Sequence, residues 1–335
     1  MLRFLFIIFL FYAVSAQAQT TAGTRIFDFL HYSGHAQATA LGGTNISHLQ
    51  EDIGMIWQNP ALLRAAQNGA AELGFSAFYG GIKQYALTAG FHIPRAELTA
   101  AIGINYFDYG TIDQTDIAGT IFGSFHPADY IVQATVSRQY ESRWHYGINL
   151  KYIGSEYGPF RSNGLAIDAG ITYTDSAKLL QAGITLKHMG WQINPYAGAE
   201  RDALPFDLQI GISKKLANAP VQFSLTAHRL SEFPLKETLP ASGESRQRSL
   251  TERMWLHLIM ATQVTLANRV ELTLAYHPLR RNELIPDRSA GGFTGLSFGA
   301  GVLFNRLKIR YAAGFYQANT PWHQLGLGLR LQDFL

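Results

Sequence analysis

About fourteen stretches of the chain alternate apolar and polar residues with a period of two, and each is near the length a tilted strand needs to cross a bilayer. Over 144–152, Trp144, Tyr146, Ile148, Leu150 and Tyr152 share one face, and His145, Gly147, Asn149 and Lys151 share the other. Over 270–277, Val270, Leu272, Leu274 and Tyr276 oppose Glu271, Thr273, Ala275 and His277. Successive side chains of a strand point to opposite faces, so each stretch has one greasy and one polar side. The pattern places strands at 69–80, 82–93, 96–108, 128–139, 143–155, 163–174, 178–190, 204–215, 220–231, 252–264, 268–278, 292–304, 307–317 and 321–333. An open sheet edge carries unpaired backbone groups that hydrocarbon does not tolerate, so such a set must close on itself.

The connections point the same way. Short ones fall around Pro94, Glu141, Asp175, Ala217, Ala267 and Asn305, and long polar ones at 109–127, 191–203, 232–251 and 279–291. Tight periplasmic turns alternating with longer outside loops mark an outer-membrane barrel. The sequence thus predicts an all-β, transmembrane antiparallel β-barrel of about 14 strands over residues 69–335. An exported soluble β-protein is the competing reading, and it expects release with the periplasmic fraction.

Composition narrows the alternatives. Charged residues are 15% of the 335, against about 25% in an ordinary soluble protein. Mean hydropathy is near zero, which excludes a bundle of membrane helices. The net charge of +3 comes without a dense Lys/Arg cluster, so nucleic acid is not an expected partner. With no cysteine, disulfides and thiolate chemistry are excluded.

Residues 1–18 read as a secretory signal peptide: Arg3, an apolar run from Phe4 to Val14, and a small-x-small site at Ala16-Gln17-Ala18. Residues 19–68 lack the alternation. They are rich in small residues from Ser33 to Gly43, and Asn59-Pro60 marks a turn or helix start. This segment is expected to form an N-terminal plug of short helices and turns, with Asn59, Pro60 and Ala61 as its motif.

Cost decides facing. A cation at the bilayer midplane on the lipid side costs roughly 2–4 kcal/mol. Lys151, Asp168, Lys187, Asp207, Glu271, Arg310 and Arg330, all on polar sides of their alternations, are therefore expected to face the lumen and, having both signs, to pair there.

No constellation of catalytic residues stands out, and no cofactor or metal is expected. Ser162-Asn163-Gly164 is similar to a phospholipase motif, but the position expected to hold its histidine is Phe160, so 157–164 is expected to be an outside loop. His31 and His35 could share a helix face, but Gly34 weakens the helix and no third ligand is apparent. His145, His228, His257 and His277 are scattered, and Gly80-Gly81 and Gly291-Gly292 precede no helix and read as turns.

Motifs spread over the chain carry a resemblance: FDFL at 27–30, ATALGG at 38–43, NPALL at 59–63, HPADY at 126–130, YGPFRSNGLAIDAGITY at 157–173, LPFDLQIGISKKLANAPVQFSLTAHRL at 204–230, RRNEL at 280–284 and GGFTGLSFGAGV at 291–302. Taken in order, these resemble the PorQ family of the type IX secretion system of Bacteroidota. That family is in turn similar to the FadL-like fatty-acid transporters, fourteen-stranded barrels whose N-terminal hatch carries an Asn-Pro-Ala element. The transporters' ligand-pocket motif has no counterpart in this sequence. The resemblance implies a non-enzymatic anchor in the outer membrane of a Gram-negative bacterium, holding the surface partner PorZ beside PorU and PorV while cargo is matured and joined to lipopolysaccharide. A FadL-like channel for a hydrophobic small molecule is the alternative.

Overall fold

A computed structural model describes residues 25–233, 249–284, 292–317 and 320–331. The signal segment 1–18, most of the stretch 232–251 and the terminal 333–335 lie outside the described residues.

The strands are β1 (Ala70–Ala77), β2 (Lys83–Ile93), β3 (Leu98–Asp108), β4 (Ile112–Thr115) and β5 (Ile121–Phe125). Next come β6 (Ala128–Tyr140), β7 (Trp144–Tyr157), β8 (Phe160–Asp175), β9 (Leu180–Asn194), β10 (Asp207–Lys215) and β11 (Val221–Ala227). Then follow β12 (Leu258–Leu266), β13 (Val270–Tyr276), β14 (Leu296–Leu303), β15 (Leu307–Gln317) and β16 (Thr320–Arg330). Fourteen of them, all but β4 and β5, form one closed antiparallel barrel. Closure is made by β1 on β16, in a register that sets Leu73 opposite Leu327 and Gly74 opposite Gly326.

The wall inverts the ordinary burial rule. Ile102, Ile148, Leu272 and Leu325 are exposed on the outside, while Gln84, Asn105, Asn149, Thr185 and Gln324 are buried inside. An apolar exterior over a polar interior is stable only with lipid as the outer solvent. No helix among the described residues is long and apolar enough to cross a membrane, and the crossing is made by strands.

The six short turns all fall at one end, at 94–97, 141–143, 176–179, 216–220, 267–269 and 304–306. The other end is mixed. It carries the long connections but also a two-residue turn at Gly158-Pro159. Residues 157–164 are therefore not an outside loop: Tyr157 pairs with Phe160, Ser155 with Ser162 and Gly154 with Asn163 in the β7–β8 ladder. Two other expectations change. The stretch 252–264 begins as a helix, Leu250–Leu256, because Ser249 and Glu252 form a reciprocal capping box that holds a helical first turn. The connection 109–127 contains a separate two-stranded sheet, β4–β5.

Residues 33–63 are mostly buried and pack against the inner side of the wall. The short helix Ala36–Ala40 packs against β13 to β16, and the 3-10 turn Pro60–Leu62 packs against β6, β7 and β8, on the opposite side of the ring. Between them the turn Ile53–Trp57 lies against β1 and β2. Ala38, Met55, Ile56 and Ala61 are wholly buried, so this segment supplies the apolar core that the polar inner wall cannot.

Candidate functional site

Since the wall presents polar groups inward, the interior segment is held by polar contacts as well as by packing. At one wall, Arg310 of β15 donates from Nη1 to Asp52 Oδ2 at 2.6 Å and from Nε to Glu271 Oε2 of β13 at 2.9 Å. Glu72 of β1 accepts from the Gly54 amide at 3.2 Å, and its Oε1 lies 3.1 Å from His35 Nδ1. His35 Nε2 lies 3.2 Å from Thr88 Oγ1 of β2. Burial pushes the Asp52 carboxyl up, but the Arg310 guanidinium, a hydrogen bond with Glu72 and Lys308 outweigh it and hold the acid below the usual carboxylate range.

A second charge cluster crosses β7 to β10. Lys151 Nζ lies 2.5 Å from Asp168 Oδ2, and both are buried. Asn149 donates to the same oxygen at 3.1 Å. Beside them β9 carries a bulge, with His188 in the left-handed region at φ 58°. The bulge turns both Lys187 and His188 inward. The freed His188 amide donates to Asp168 Oδ1 at 2.8 Å, and Lys187 faces Asp207 across the β9–β10 ladder. Arg330 differs from the other six charges named from the sequence. It shares their inward parity but sits at the rim beside Glu51, 3.9 Å away, with both side chains about half exposed.

The Asn59-Pro60-Ala61 element is seated on glycines. Asn59 Oδ1 accepts from the Ala61 amide at 2.9 Å, and its Nδ2 donates to the Ile46 carbonyl at 2.9 Å. A Cβ at Gly147 would lie 2.6 Å from the Pro60 carbonyl, and one at Gly170 2.0 Å from Asn59 Oδ1. Only glycine permits so close an approach of wall to segment.

At the end carrying the long connections, the segment is tied to the loops. Arg25 pairs with Glu232, which Arg229 also contacts at 2.9 Å, and Arg229 reaches Glu283 at 3.0 Å. Arg280 lies 3.9 Å over the Tyr316 ring and donates to the Gly42 carbonyl at 2.9 Å. Asp129 accepts from the hydroxyls of Tyr109 at 2.5 Å, Tyr157 at 3.3 Å and Ser155. His228 and His277, whose rings are 4.6 Å apart, have pKa values well below the ordinary histidine value, through burial first and then the charge of Arg229 on His228 and of His228 on His277.

His31 and His35 do not converge: the His31 ring meets the edge of His188 at 6.4 Å, while His35 is committed to Glu72. Ser162 accepts from Gln192 at 2.7 Å and donates to the Asn194 carbonyl at 3.0 Å, so its partners are structural. Among the described residues no cluster of acids and histidines has metal-site geometry. A polar pocket of about 130 Å³ opens at the short-turn end beside Glu51, Lys308 and Arg330. An apolar groove of about 580 Å³ runs along the lipid-facing wall over Phe75, Tyr85, Ile104 and Leu325.

Sequence reading did not single out Asp52, Glu72, Asp129 or Arg280, and weighed His35 only as a metal ligand beside His31. Glu72 had a legible signal, since it opposes Leu73 and Phe75 in the first alternating stretch. Asp52 and His35 lie in irregular backbone, where no periodicity assigns a side.

No family model and no curated protein matches the sequence. The fold does have relatives among solved structures. A deletion mutant of the TodX monoaromatic hydrocarbon channel superposes with a TM-score of 0.53 at 14% identity, covering 90% of this chain and 97% of that one. The CymD monoaromatic hydrocarbon channel gives 0.50 at 13% identity, with the same coverage. A FadL homologue from Pseudomonas aeruginosa gives 0.46 at 9% identity, over 84% of this chain and 94% of that one. The closed fourteen-stranded architecture is thus that of outer-membrane channels of the TodX and CymD kind.

Proposed function

We propose that this outer-membrane barrel is a sealed anchor, a component of a type IX secretion attachment complex that holds a surface protein of the PorZ kind beside partners of the PorU and PorV kind. The observation that carries the reading is the way residues 33–63 pack against the inner side of the wall. They are fixed to opposite walls by the Asp52–Arg310–Glu271 network and by the glycine-seated Asn59-Pro60-Ala61 element. A charge-laced interior crossed by a packed segment is a poor path for an apolar solute, because it offers desolvated ions where such a path needs a continuous apolar lining. The motifs shared with the PorQ family supply the identity of the complex. Deleting the gene tests the reading: cargo is expected to accumulate with its C-terminal signal uncleaved and unattached, and normal maturation and attachment would overturn it.

The fold comparisons favour a second reading, a channel for a hydrophobic small molecule, since the TodX and CymD structures, which superpose with TM-scores of 0.53 and 0.50, are named as monoaromatic hydrocarbon channels. Here residues 33–63 would be a movable hatch. Uptake of toluene or a long-chain fatty acid into vesicles carrying the purified barrel, faster than into empty vesicles, would establish this reading against the sealed anchor.

A further inference from the structure

The β4–β5 hairpin continues β3 and β6 beyond the barrel rim, on the side of the long connections, which places it outside the cell. Five residues of extended chain carry its tip about 16 Å past Ile112. Nearly all of it is exposed, including the large apolar residues Ile112, Ile117, Ile121 and Phe122. An isolated two-stranded hairpin is marginal in water and commonly needs a further strand or a packed face. Its tip is nonetheless built to one shape. Asp116 Oδ1 accepts from the amides of Ala118 at 2.9 Å and Thr120 at 2.8 Å, and the Gly119 amide donates to the Asp116 carbonyl at 3.0 Å. This turn holds Ile117 fully in solvent.

The edges are equally unprotected. Among the described residues β4 and β5 pair only with each other, leaving two open edges. Exposed edges are ordinarily blunted with lysine, proline or an inward charge, but residues 109–125 contain no Lys, Arg or Pro. Their only charges are Asp113 and Asp116. That sign selects the occupant. Anionic lipid headgroups and lipopolysaccharide phosphates are repelled, and a second copy would set two acids against two acids.

We infer that the β4–β5 hairpin is a docking arm that receives an extended basic segment of another protein as an added strand, with its apolar side chains on the face of Ile112 and Phe125 and its cations on the opposite face beside Asp113, Asp116 adding negative charge at the tip. The main-chain ladder supplies affinity and the two acids supply selection. The inference deepens the anchor reading by naming where a surface partner binds. The two fail separately, because normal cargo maturation would overturn the anchor without touching strand addition at the arm.

The test uses the full-length barrel in detergent and two fluorescent octapeptides, one alternating Lys and Val, the other Glu and Val. The Lys–Val peptide is expected to bind at least ten-fold tighter, to slow amide exchange within 112–115 or 121–125, and to lose ten-fold or more in affinity with Asp113→Lys or Ile112→Ser. A barrel with 112–125 replaced by a short Gly-Ser turn should not bind it, and a heat-modifiable gel shift reports that each variant is folded. Equal binding of the Glu–Val peptide, protection elsewhere on the barrel, unaltered binding by the turn-replaced barrel, or association of the arm with anionic vesicles or a second copy would overturn the inference.

Discussion

Replacing Arg310 with methionine would strand two carboxylates, Asp52 and Glu271, inside a sealed wall. Removing one partner of a buried ion pair leaves an uncompensated charge, which costs roughly 3–5 kcal/mol, whereas replacing all partners together costs far less. R310M should therefore lower the unfolding free energy of the reconstituted barrel by about that amount, and D52N/E271Q/R310M should recover much of it. Denaturant titration from lipid vesicles measures both, and equal losses would show that the network contributes by packing rather than charge. His48 sets a separate pH dependence. It is buried in the interior segment with neither ring nitrogen hydrogen-bonded to protein, and burial, with Arg310 and Lys308, pushes its pKa from 6.5 down to about 4 against the opposing pull of Asp52 and Glu271. The native state thus keeps it neutral while the unfolded chain takes up a proton. The stability tied to it is complete above pH 6.5, falls as the pH drops toward about 4, and is worth about 3 kcal/mol at most. Asp52 is shifted in the same direction, so its contribution is also lost as the pH falls, but only from the ordinary carboxylate value downward. His48→Gln should make the stability profile between pH 6.5 and 4 less steep, leaving the share that the buried His228 and His277 contribute, and keep the more acidic limb in place.

Elements divide by how local their determinants are. The fourteen wall strands were legible because a lipid-facing strand must repeat its choice of side every second residue, and Ile148, Leu150 and Tyr152 do so without reference to any partner. Three features were not. The β4–β5 hairpin is too short to register as a crossing strand, and lying outside the bilayer it carries no lipid-facing stripe. The helix Leu250–Leu256 was absorbed into a strand, although Ser249 and Glu252 stand at capping-box spacing. The β9 bulge breaks the period at Lys187-His188, and only the Asp168 side chain across the ladder explains it. For the interior segment, Asn59-Pro60-Ala61 was visible as a motif, but its seat was not, since the glycines that receive it lie about ninety to one hundred and ten residues downstream. Gly170→Ala tests that seat. Its methyl would sit 2.0 Å from Asn59 Oδ1, so the segment must shift, at an overpacking cost of about 1–3 kcal/mol. Gly328→Ala on β16, whose added Cβ meets only the Lys308 side chain at 3.4 Å or more, is the control. A loss equal to that of the control would mean that the motif is not held by the wall.

At the scale of the molecule, the question is whether wall and interior segment behave as one body. The segment touches walls on opposite sides of the ring, so it braces the barrel across its diameter, and the ties differ in kind: ionic at β13 and β15, steric at β7 and β8. A brace held at several points does not let go when one is cut, but its fluctuations grow on the side that was freed. Single-channel recording in a planar bilayer separates the two readings on this point. The intact barrel should be electrically silent, because the packed segment crosses the interior and charges such as Arg310 and Lys151 are held in ion pairs. R310M should show brief, partial openings, since the freed edge of the segment lies next to the polar pocket by Glu51, Lys308 and Arg330 at the short-turn mouth. Adding Gly170→Ala should lengthen them, because the second tie is then strained as well. A steady conductance from the intact protein would refute the seal, and silence in the double variant would show that the segment is held by contacts other than these two. The same recording made with a monoaromatic hydrocarbon present discriminates further: openings of the intact barrel that appear only with the hydrocarbon would make the segment a ligand-responsive hatch, while unchanged silence leaves the interior as the rigid centre of an anchor whose working surface is outside.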